Sequence, residues 1–139
     1  MAARTIGRIT LAAFMVFAGI GHLTFARAEF QAQVPEFIPL PPDVTVLASG
    51  AVEIALGAAL ILVTNRRALV GVLLALFFVA VFPGNIAQYT GHRDAFGLDT
   101  DAKRLARLPF QAVLIAGALW STAAWRDRRR ILQRVDPRT

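Results

Sequence analysis

The sequence predicts an all-α fold: a single domain formed by an antiparallel bundle of four transmembrane helices. The first observation behind this prediction is the length of four apolar segments. Each has about 20 residues, which at roughly 1.5 Å per residue crosses a hydrocarbon core of about 30 Å. The four segments are residues 6–25, 44–63, 68–89 and 105–125.

The composition gives the second observation. Of the 139 residues, 56% are hydrophobic and only 17% are charged, and the mean hydropathy is +0.55. A soluble domain carries about a quarter charged residues, and its helices are apolar on one face only. The chain is therefore predicted to be an integral membrane protein with the lipid bilayer as its surroundings.

The placement of basic residues is the third observation, and it predicts the topology. Ten arginines lie at the chain ends or between the second and third spans, against five lysines and arginines in the other two connections. The positive-inside rule then places both termini in the cytoplasm. The basic tail 126–139, which includes Arg134 and Arg138, is predicted to contact anionic lipid headgroups rather than nucleic acid.

The first span follows Arg4 and Arg8 and has His22 in its last turn. Its beginning also resembles a cleavable signal peptide, because basic residues, an apolar stretch and an Ala-Arg-Ala pattern at 26–28 occur in that order. Cleavage would leave three spans and place the basic tail on the wrong side of the membrane. The sequence therefore favours retention of the first span.

The connection after this span is rich in proline and phenylalanine. Residues 25–42 contain four prolines and three phenylalanines: Pro35, Pro39, Pro41, Pro42, Phe25, Phe30 and Phe37. Proline at this density prevents a regular helix beyond Val34, while the aromatic side chains avoid full exposure to water. We expect this proline-rich loop to cover the outer mouth of the bundle as a lid.

Glu53 is the only acidic residue in the apolar run 44–63. It lies nine residues into the second span, at a depth of roughly 13 Å, where an unpaired carboxylate is strongly unfavourable. Ser49 lies one turn away on the same face. We expect Arg107, at the start of the fourth span, to be the counter-charge. A structural pair, a pair within a functional pocket and a protonated Glu53 bonded to a carbonyl all remain open.

The second and third spans are joined by residues 64–67 only, which makes them antiparallel neighbours. Pro83 in the third span and Pro109 in the fourth lie near the outer ends of their helices. Each proline removes a backbone donor and frees the carbonyl four residues earlier, at Val79 and Leu105. Freed carbonyls at membrane depth need donors from neighbouring side chains or water.

Three polar residues lie close to these prolines: Asn85, Arg107 and Gln111. Arg107 and Gln111 are four residues apart and share a helix face. Their side chains are suited to bond the freed carbonyls, and equally to line a pocket, and both interpretations stay open for Asn85 and Gln111. With His22 and Glu53, they would bring polar groups from all four spans into the outer half of the bundle.

The third connection, residues 90–104, contains one histidine and three aspartates: His92, Asp94, Asp99 and Asp101. Their spacing fits no metal-ligand pattern, and residues 99–101 suit a cap for the fourth span, so no metal site is predicted. Cysteine is absent from the chain. This excludes thiol and disulfide chemistry by the chain itself.

Five short motifs occur in order along the chain: Gly19-Ile20-Gly21-His22-Leu23, Val34-Pro35-Glu36-Phe37-Ile38-Pro39, Ser49-Gly50-Ala51-Val52-Glu53, Phe82-Pro83-Gly84-Asn85 and Arg107-Leu108-Pro109-Phe110-Gln111. Taken together, over residues 19–125, they resemble the DoxX-like family of small four-helix bacterial membrane proteins. The motif positions are also the polar residues that the depth estimate places in the outer half.

The resemblance implies a multi-pass protein of the bacterial plasma membrane, with partner proteins of redox or detoxification function. The family is named after a terminal quinol oxidase and thiosulfate:quinone oxidoreductase system, so a quinone is the cofactor or ligand that it suggests. The two histidines lie one in a span and one in a loop, which does not suit a haem pair. An accessory subunit is therefore favoured over an enzyme, and no residue is predicted to be catalytic.

Two functional hypotheses of different classes result. In the first, an outer-half pocket binds a quinone-like or other small amphipathic molecule, with a charge pair, a proton donor or acceptor and orienting amides. Its residues would be His22, Ser49, Glu53, Asn85, Arg107 and Gln111. In the second, Glu53 exchanges a proton for a solute in a small transporter. A structural membrane scaffold is the simplest third possibility.

Overall fold

The computed structural model describes residues 2–135, with the side chains of 2–133. This part of the chain is all-helical, and its only bridge between extended residues joins Ala95 to Leu98. The predicted all-α class is confirmed. The end of the predicted tail, including Arg138, lies outside the described residues. The helices are α1 (Ala2–Leu23), α2 (Arg27–Gln31), α3 (Pro42–Leu62), α4 (Arg67–Thr90), α5 (Asp101–Ser121) and α6 (Arg128–Val135).

Three of these helices, α1, α3 and α4, are long and apolar enough to cross a membrane. They correspond to the first three predicted spans. Helix α5 occupies the place of the fourth, but it is less apolar than the other three because Arg104, Arg107 and Gln111 lie in its first half. It ends at Ser121 rather than at the predicted residue 125, and Ala123 just after it adopts a positive φ of 59°.

Glycines bring α1 and α3 into backbone contact. A Cβ atom on Gly19 would lie 2.8 Å from the carbonyl oxygen of Gly50, and one on Gly57 would lie 3.1 Å from that of Ala12. Small residues at such crossings allow close packing of apolar helices. Helix α4 packs mainly on α5 in turn, while α3 and α4 touch only sparsely. The bundle therefore consists of two tight helix pairs with a looser seam between them.

The apolar core fills the half of the bundle that lies away from the proline-rich loop. Its centre is formed by side chains from four helices that are almost completely buried: Met15, Leu60, Leu74, Phe78 and Ala118. The opposite half contains most of the buried polar side chains, and the exceptions are Ser121 and Thr122 at the far end of α5. This segregation leaves room for a polar site on one side of a well-packed apolar core.

The proline-rich loop folds over the end of the bundle, as a lid. Only the short helix α2 interrupts it before Pro42, in agreement with the prediction that no regular helix continues beyond Val34. Its backbone passes so close to α4 that a Cβ on Gly84 would clash with the carbonyl of Gln33. Arg93 Nη1 donates hydrogen bonds to the carbonyls of Ala32, at 3.1 Å, and Val34, at 2.8 Å.

An ion pair also joins the start of the lid to the helix that follows it. Arg27 Nε donates a 2.6 Å hydrogen bond to Asp43 Oδ1 in the first turn of α3. On the other side of the mouth, α5 begins with the Thr100 side chain accepting from the Lys103 amide at 3.2 Å. The predicted cap at the start of this helix is thus confirmed. The ion pair thus holds the two ends of the lid together, and the cap fixes where α5 begins after the 91–100 loop.

Candidate functional site

A cavity of ≈440 Å³ lies beneath the lid. Its walls come from α1, the lid, α3, α4 and α5. All six residues predicted to form a pocket line it: His22, Ser49, Glu53, Asn85, Arg107 and Gln111. These six residues come from four different long helices, so the packing of the helices on each other determines where each side chain lies.

The close approach of α1 and α3 positions the acidic group. His22 follows Gly19 by three residues, and Glu53 follows Gly50 by three residues, so each polar side chain lies on the face that its glycine presents to the other helix. A Cβ on Gly50 would lie 2.6 Å from Cβ of His22 and 3.0 Å from the Gly19 carbonyl oxygen. The two glycines thereby bring His22 and Glu53 together.

His22 and Glu53 form a buried pair with an incomplete hydrogen-bond set. Nδ1 of His22 lies 2.7 Å from Oε2 of Glu53 and 2.9 Å from the carbonyl oxygen of Ala18. A carbonyl can only accept, so the second contact assigns the hydrogen to Nδ1. Oε2 then has a close polar neighbour but no hydrogen-bond donor among the residues that the structure describes. Glu53 is only 8% exposed, and such a buried oxygen is strongly unfavourable without a donor.

The lid covers this pair directly. The imidazole of His22 stacks on the ring of Phe30, with 3.3 Å between centroids and 15° between planes. Phe30 in turn meets Phe96 of the 91–100 loop edge-on, at 4.7 Å. Lid, loop and the titratable pair are therefore in one continuous contact.

The expected pairing of Glu53 with Arg107 is wrong. Within the described chain no ion pair joins these two side chains, and α3 and α5 do not pack on each other. His22 occupies the position beside Glu53 because the glycine contact places α1 there. Arg107 lies on the α5 wall, where Nη1 donates to Gln111 Oε1 at 3.3 Å and the guanidinium lies 5.1 Å from the Phe110 ring centroid.

Asn85 and Gln111 link α4 to α5. Gln111 Nε2 donates a 2.7 Å hydrogen bond to the carbonyl of Phe78, and Gln111 Oε1 accepts from Asn85 Nδ2 at 3.3 Å. Pro83 frees the carbonyl of Val79, whereas Gln111 bonds the carbonyl of Phe78, one residue earlier. Asn85 bonds Gln111 and not a carbonyl. The two amides therefore join the helices, but not through the carbonyls that the prolines free. Both side chains also line the cavity, so this role coexists with a place in the site.

Two buried polar residues of the same region escaped the sequence prediction. Gln88, 1% exposed, accepts from Gln33 Nε2 at 2.9 Å and donates to the carbonyls of Arg93 and Ala95. Arg104, 5% exposed, donates to the Arg93 carbonyl at 2.9 Å. Both residues hold the 91–100 loop in place. Their spacing of three residues from Asn85 and Arg107 respectively was the signal that could have identified them.

Ion pairs outside the cavity complete the frame of the mouth. Arg104 also contacts Asp94 and, at 2.8 Å, Asp101. The same Asp101 carboxylate also contacts His92, with 2.7 Å between its Oδ1 and His92 Nδ1. The hydrogen bond from His92 is the main cause that lowers the pKa of the Asp101 carboxyl below its ordinary value. The start of α5 is thus tied electrostatically to the loop that supports the lid.

The cavity opens sideways at the seam between α3 and α4. Ala48 and Val52 of α3 and Ala80 of α4 line it and are also exposed on the outer surface of the bundle. Val52 is 44% exposed. Much of the remaining wall is aromatic, with Phe14, Phe30, Phe37, Phe77 and Phe78. The cavity therefore combines a small polar group of side chains with apolar walls and an apolar side opening.

Comparison with known proteins shows the family of the chain. The model of one protein family, described as a domain of unknown function (DUF8561), matches residues 11–122. The matched range runs from α1 to the end of α5 and includes every cavity residue discussed above. No curated protein and no solved structure matches the chain.

Proposed function

Since the chain belongs to the DUF8561 family, a domain of unknown function, we propose from its own geometry that it binds a small amphipathic, hydroxyl-bearing molecule within the membrane. The observation that carries the proposal is the state of Glu53. It lines a cavity of ≈440 Å³, is 8% exposed and has one carboxyl oxygen without a donor in the described chain. Buried ionisable residues in a membrane protein indicate function by default.

The proposed setting is the bacterial plasma membrane. We infer that α5 completes a four-span bundle with both termini in the cytoplasm, which puts the lid and the cavity on the outer side. The excess of arginine at the chain ends supports this orientation. The DoxX-like resemblance supports the same arrangement, because its motif residues His22, Glu53, Asn85, Arg107 and Gln111 all line the cavity.

The chemistry of the ligand follows from the groups that lack partners. With its hydrogen on Nδ1, a neutral His22 has an acceptor at Nε2, and Glu53 Oε2 is a second acceptor. A ligand hydroxyl would supply the missing donor. The Arg107 guanidinium contacts no carboxylate in the described chain and provides donors for an oxygen of the ligand. A hydroquinone, or the quinone related to it, presents such oxygens on a ring suited to aromatic walls.

The side opening supports access from the lipid phase. Its rim is apolar at Ala48, Val52 and Ala80, while the lid closes the end of the bundle. An amphipathic molecule dissolved in the bilayer can reach the polar group through this seam without crossing water. We propose an accessory role on this basis: the protein holds the molecule for a redox or detoxification partner and does not itself transform it.

The experiment compares two probes on the full chain in detergent. Octylhydroquinone carries the hydroxyl donors, and its dimethyl ether keeps the ring and chain but lacks them. The expected result is that octylhydroquinone raises the melting temperature of the wild type and that the ether raises it much less. Glu53→Gln should remove the difference while the variant stays folded by circular dichroism. Equal shifts from both probes, or an unchanged response of Glu53→Gln, would contradict the proposal.

A second candidate function is proton-coupled transport. The observation that favours it is the buried His22–Glu53 contact of 2.7 Å, a titratable pair that could carry one proton. In that case vesicles that contain the protein should show substrate-dependent acidification that Glu53→Gln abolishes. Ligand binding without any proton flux would leave the accessory role as the function.

A further inference from the structure

A second cavity lies at the opposite end of α4. Its volume is ≈630 Å³, and it is formed by the 64–67 connection, the first turn of α4, the turn after α5 and the beginning of α6. Three arginines line it: Arg66, Arg67 and Arg130. None of the groups in the proposed ligand site reaches this cavity, so it requires its own explanation.

The positive charge in this cavity is not neutralised from within the described chain. Its one carboxylate is Asp127, and the Arg126 side chain already bonds it, with Nε at 3.2 Å from Oδ1. Correspondingly, the hydrogen bond from Arg126 is the main cause that lowers the pKa of Asp127, and the charge of Arg130 adds a smaller part. No ion pair of the described residues includes Arg66, Arg67 or Arg130. Three guanidinium groups thus face one cavity with a single, already occupied carboxylate.

The position of the cavity identifies the kind of anion available. Helices α3 and α4, which meet at the 64–67 connection, are both long and apolar enough to cross a membrane. Leu62, 76% exposed, and Trp125, 66% exposed, lie beside the basic groups in sequence. Tryptophan is typical of the membrane–water interface, and phosphate is the anionic group that phospholipids present there.

We propose that this cavity binds a phosphate group, and that the headgroup of an anionic phospholipid supplies it. Arginine suits this role because its planar fork of N–H donors matches the oxygens of phosphate. Arg66 and Arg67 come from one short connection and Arg130 from α6, so the phosphate joins α6 to the α3–α4 turn. Exposed Leu62 and Trp125 offer apolar contact to the acyl chains of the same lipid.

The test uses the full chain in a neutral detergent with mixed micelles of phosphatidylglycerol or phosphatidylcholine. Phosphatidylglycerol is expected to raise the melting temperature of the wild type and to be retained in native mass spectrometry. Arg66→Gln/Arg67→Gln is expected to bind it roughly 30-fold more weakly, from the contribution of two arginines at a lipid surface. The matched control is a pair of single variants in α6, Arg130→Gln and Arg129→Gln, because each removes one charge and only Arg130 lines the cavity. Arg130→Gln should weaken lipid binding, and Arg129→Gln should retain the lipid.

Three outcomes decide the matter. Equal losses in Arg130→Gln and Arg129→Gln would show unspecific attraction by the basic tail and overturn the proposal, as would equal retention of phosphatidylcholine. Protection of the wild type by inorganic phosphate at the same concentration would identify a soluble anion as the source and overturn the lipid assignment. If the double variant does not fold, the two single variants still decide, and a selective loss in Arg130→Gln supports the site.

Discussion

The backbones of Gly19 and Gly50 are in direct contact, and this contact determines which side chain becomes the partner of Glu53. Each glycine precedes its polar residue by three positions, so the crossing point and the His22–Glu53 pair form one unit. A polar site inside a membrane protein is thereby positioned by residues that have no side chains.

Gly50→Ala is expected to disrupt the site as well as the fold. Its Cβ would lie 2.6 Å from Cβ of His22, so α1 has to move away from α3. Overpacking of this kind destabilises by about 1–3 kcal/mol. The measurement is unfolding in detergent together with probe binding. Gly117→Ala is the control, because a Cβ there meets no atom within 4 Å, and its stability should not fall. A neutral Gly50→Ala would show that the crossing is not tight.

Gln111→Leu is expected to loosen α4 from α5. The substitution removes the donor to the Phe78 carbonyl and the acceptor for Asn85, which should destabilise by about 1–2 kcal/mol for two interhelical bonds. Asn85→Leu should have less effect in the Gln111→Leu background than in the wild type, because its partner is already missing. A double-mutant cycle in detergent measures the difference. Strictly additive effects would show that the two amides act independently.

Gly84→Val is expected to lift the lid without unfolding the bundle. A side chain at this position meets the carbonyl of Gln33, which belongs to the lid and not to the helix core. The absence of cysteine allows a clean assay, because Val34→Cys introduces a single thiol at a position that is 9% exposed. Maleimide labelling of this thiol should become at least several-fold faster in the Gly84→Val background. Gly117→Val should leave the rate unchanged, and a similar acceleration there would point to general loosening.

The contact between His92 and Asp101 predicts a stability contribution that depends on pH. The pKa of Asp101 lies below its ordinary value of 3.8, mainly through the hydrogen bond from His92. A carboxyl with a lowered pKa in the folded state contributes stability above its ordinary pKa, and this contribution disappears as the pH falls through the lowered value. Asp101→Asn should therefore lower the melting temperature at pH 6, and the difference from the wild type should shrink below pH 4. A difference that does not change with pH would contradict this role.

The sequence predicts the helices and brings together the polar side chains that line the cavity, for clear physical reasons. The length of the apolar segments predicts α1, α3 and α4. The density of prolines predicts that no regular helix continues beyond Val34. Counting residues along each helix gives the depth of Glu53, Asn85 and Gln111, and side chains at one depth in a small bundle face one cavity. This is why six polar residues that are far apart in the chain were expected in the same place.

The partner of Glu53 was not predictable in the same way. Depth along a helix does not specify rotation about its axis or which helices touch, and both His22 and Arg107 had suitable depths. The contact between Gly19 and Gly50 places His22, and not Arg107, beside Glu53. Glycines occur in membrane helices for several reasons, so their presence in the sequence did not identify this contact. Gln88 and Arg104 were missed because they bond backbone carbonyls of the 91–100 loop, and the path of that loop is not encoded in any periodic pattern.

The stacking of Phe30 on His22 makes the lid part of the wall of the cavity. Because the ring that closes the mouth rests on the imidazole beside Glu53, a molecule bound in the cavity also contacts the lid. A molecule that binds the closed form more tightly than the open form holds the lid closed. By thermodynamic reciprocity, any contact that holds the lid closed strengthens binding of that molecule by the same factor.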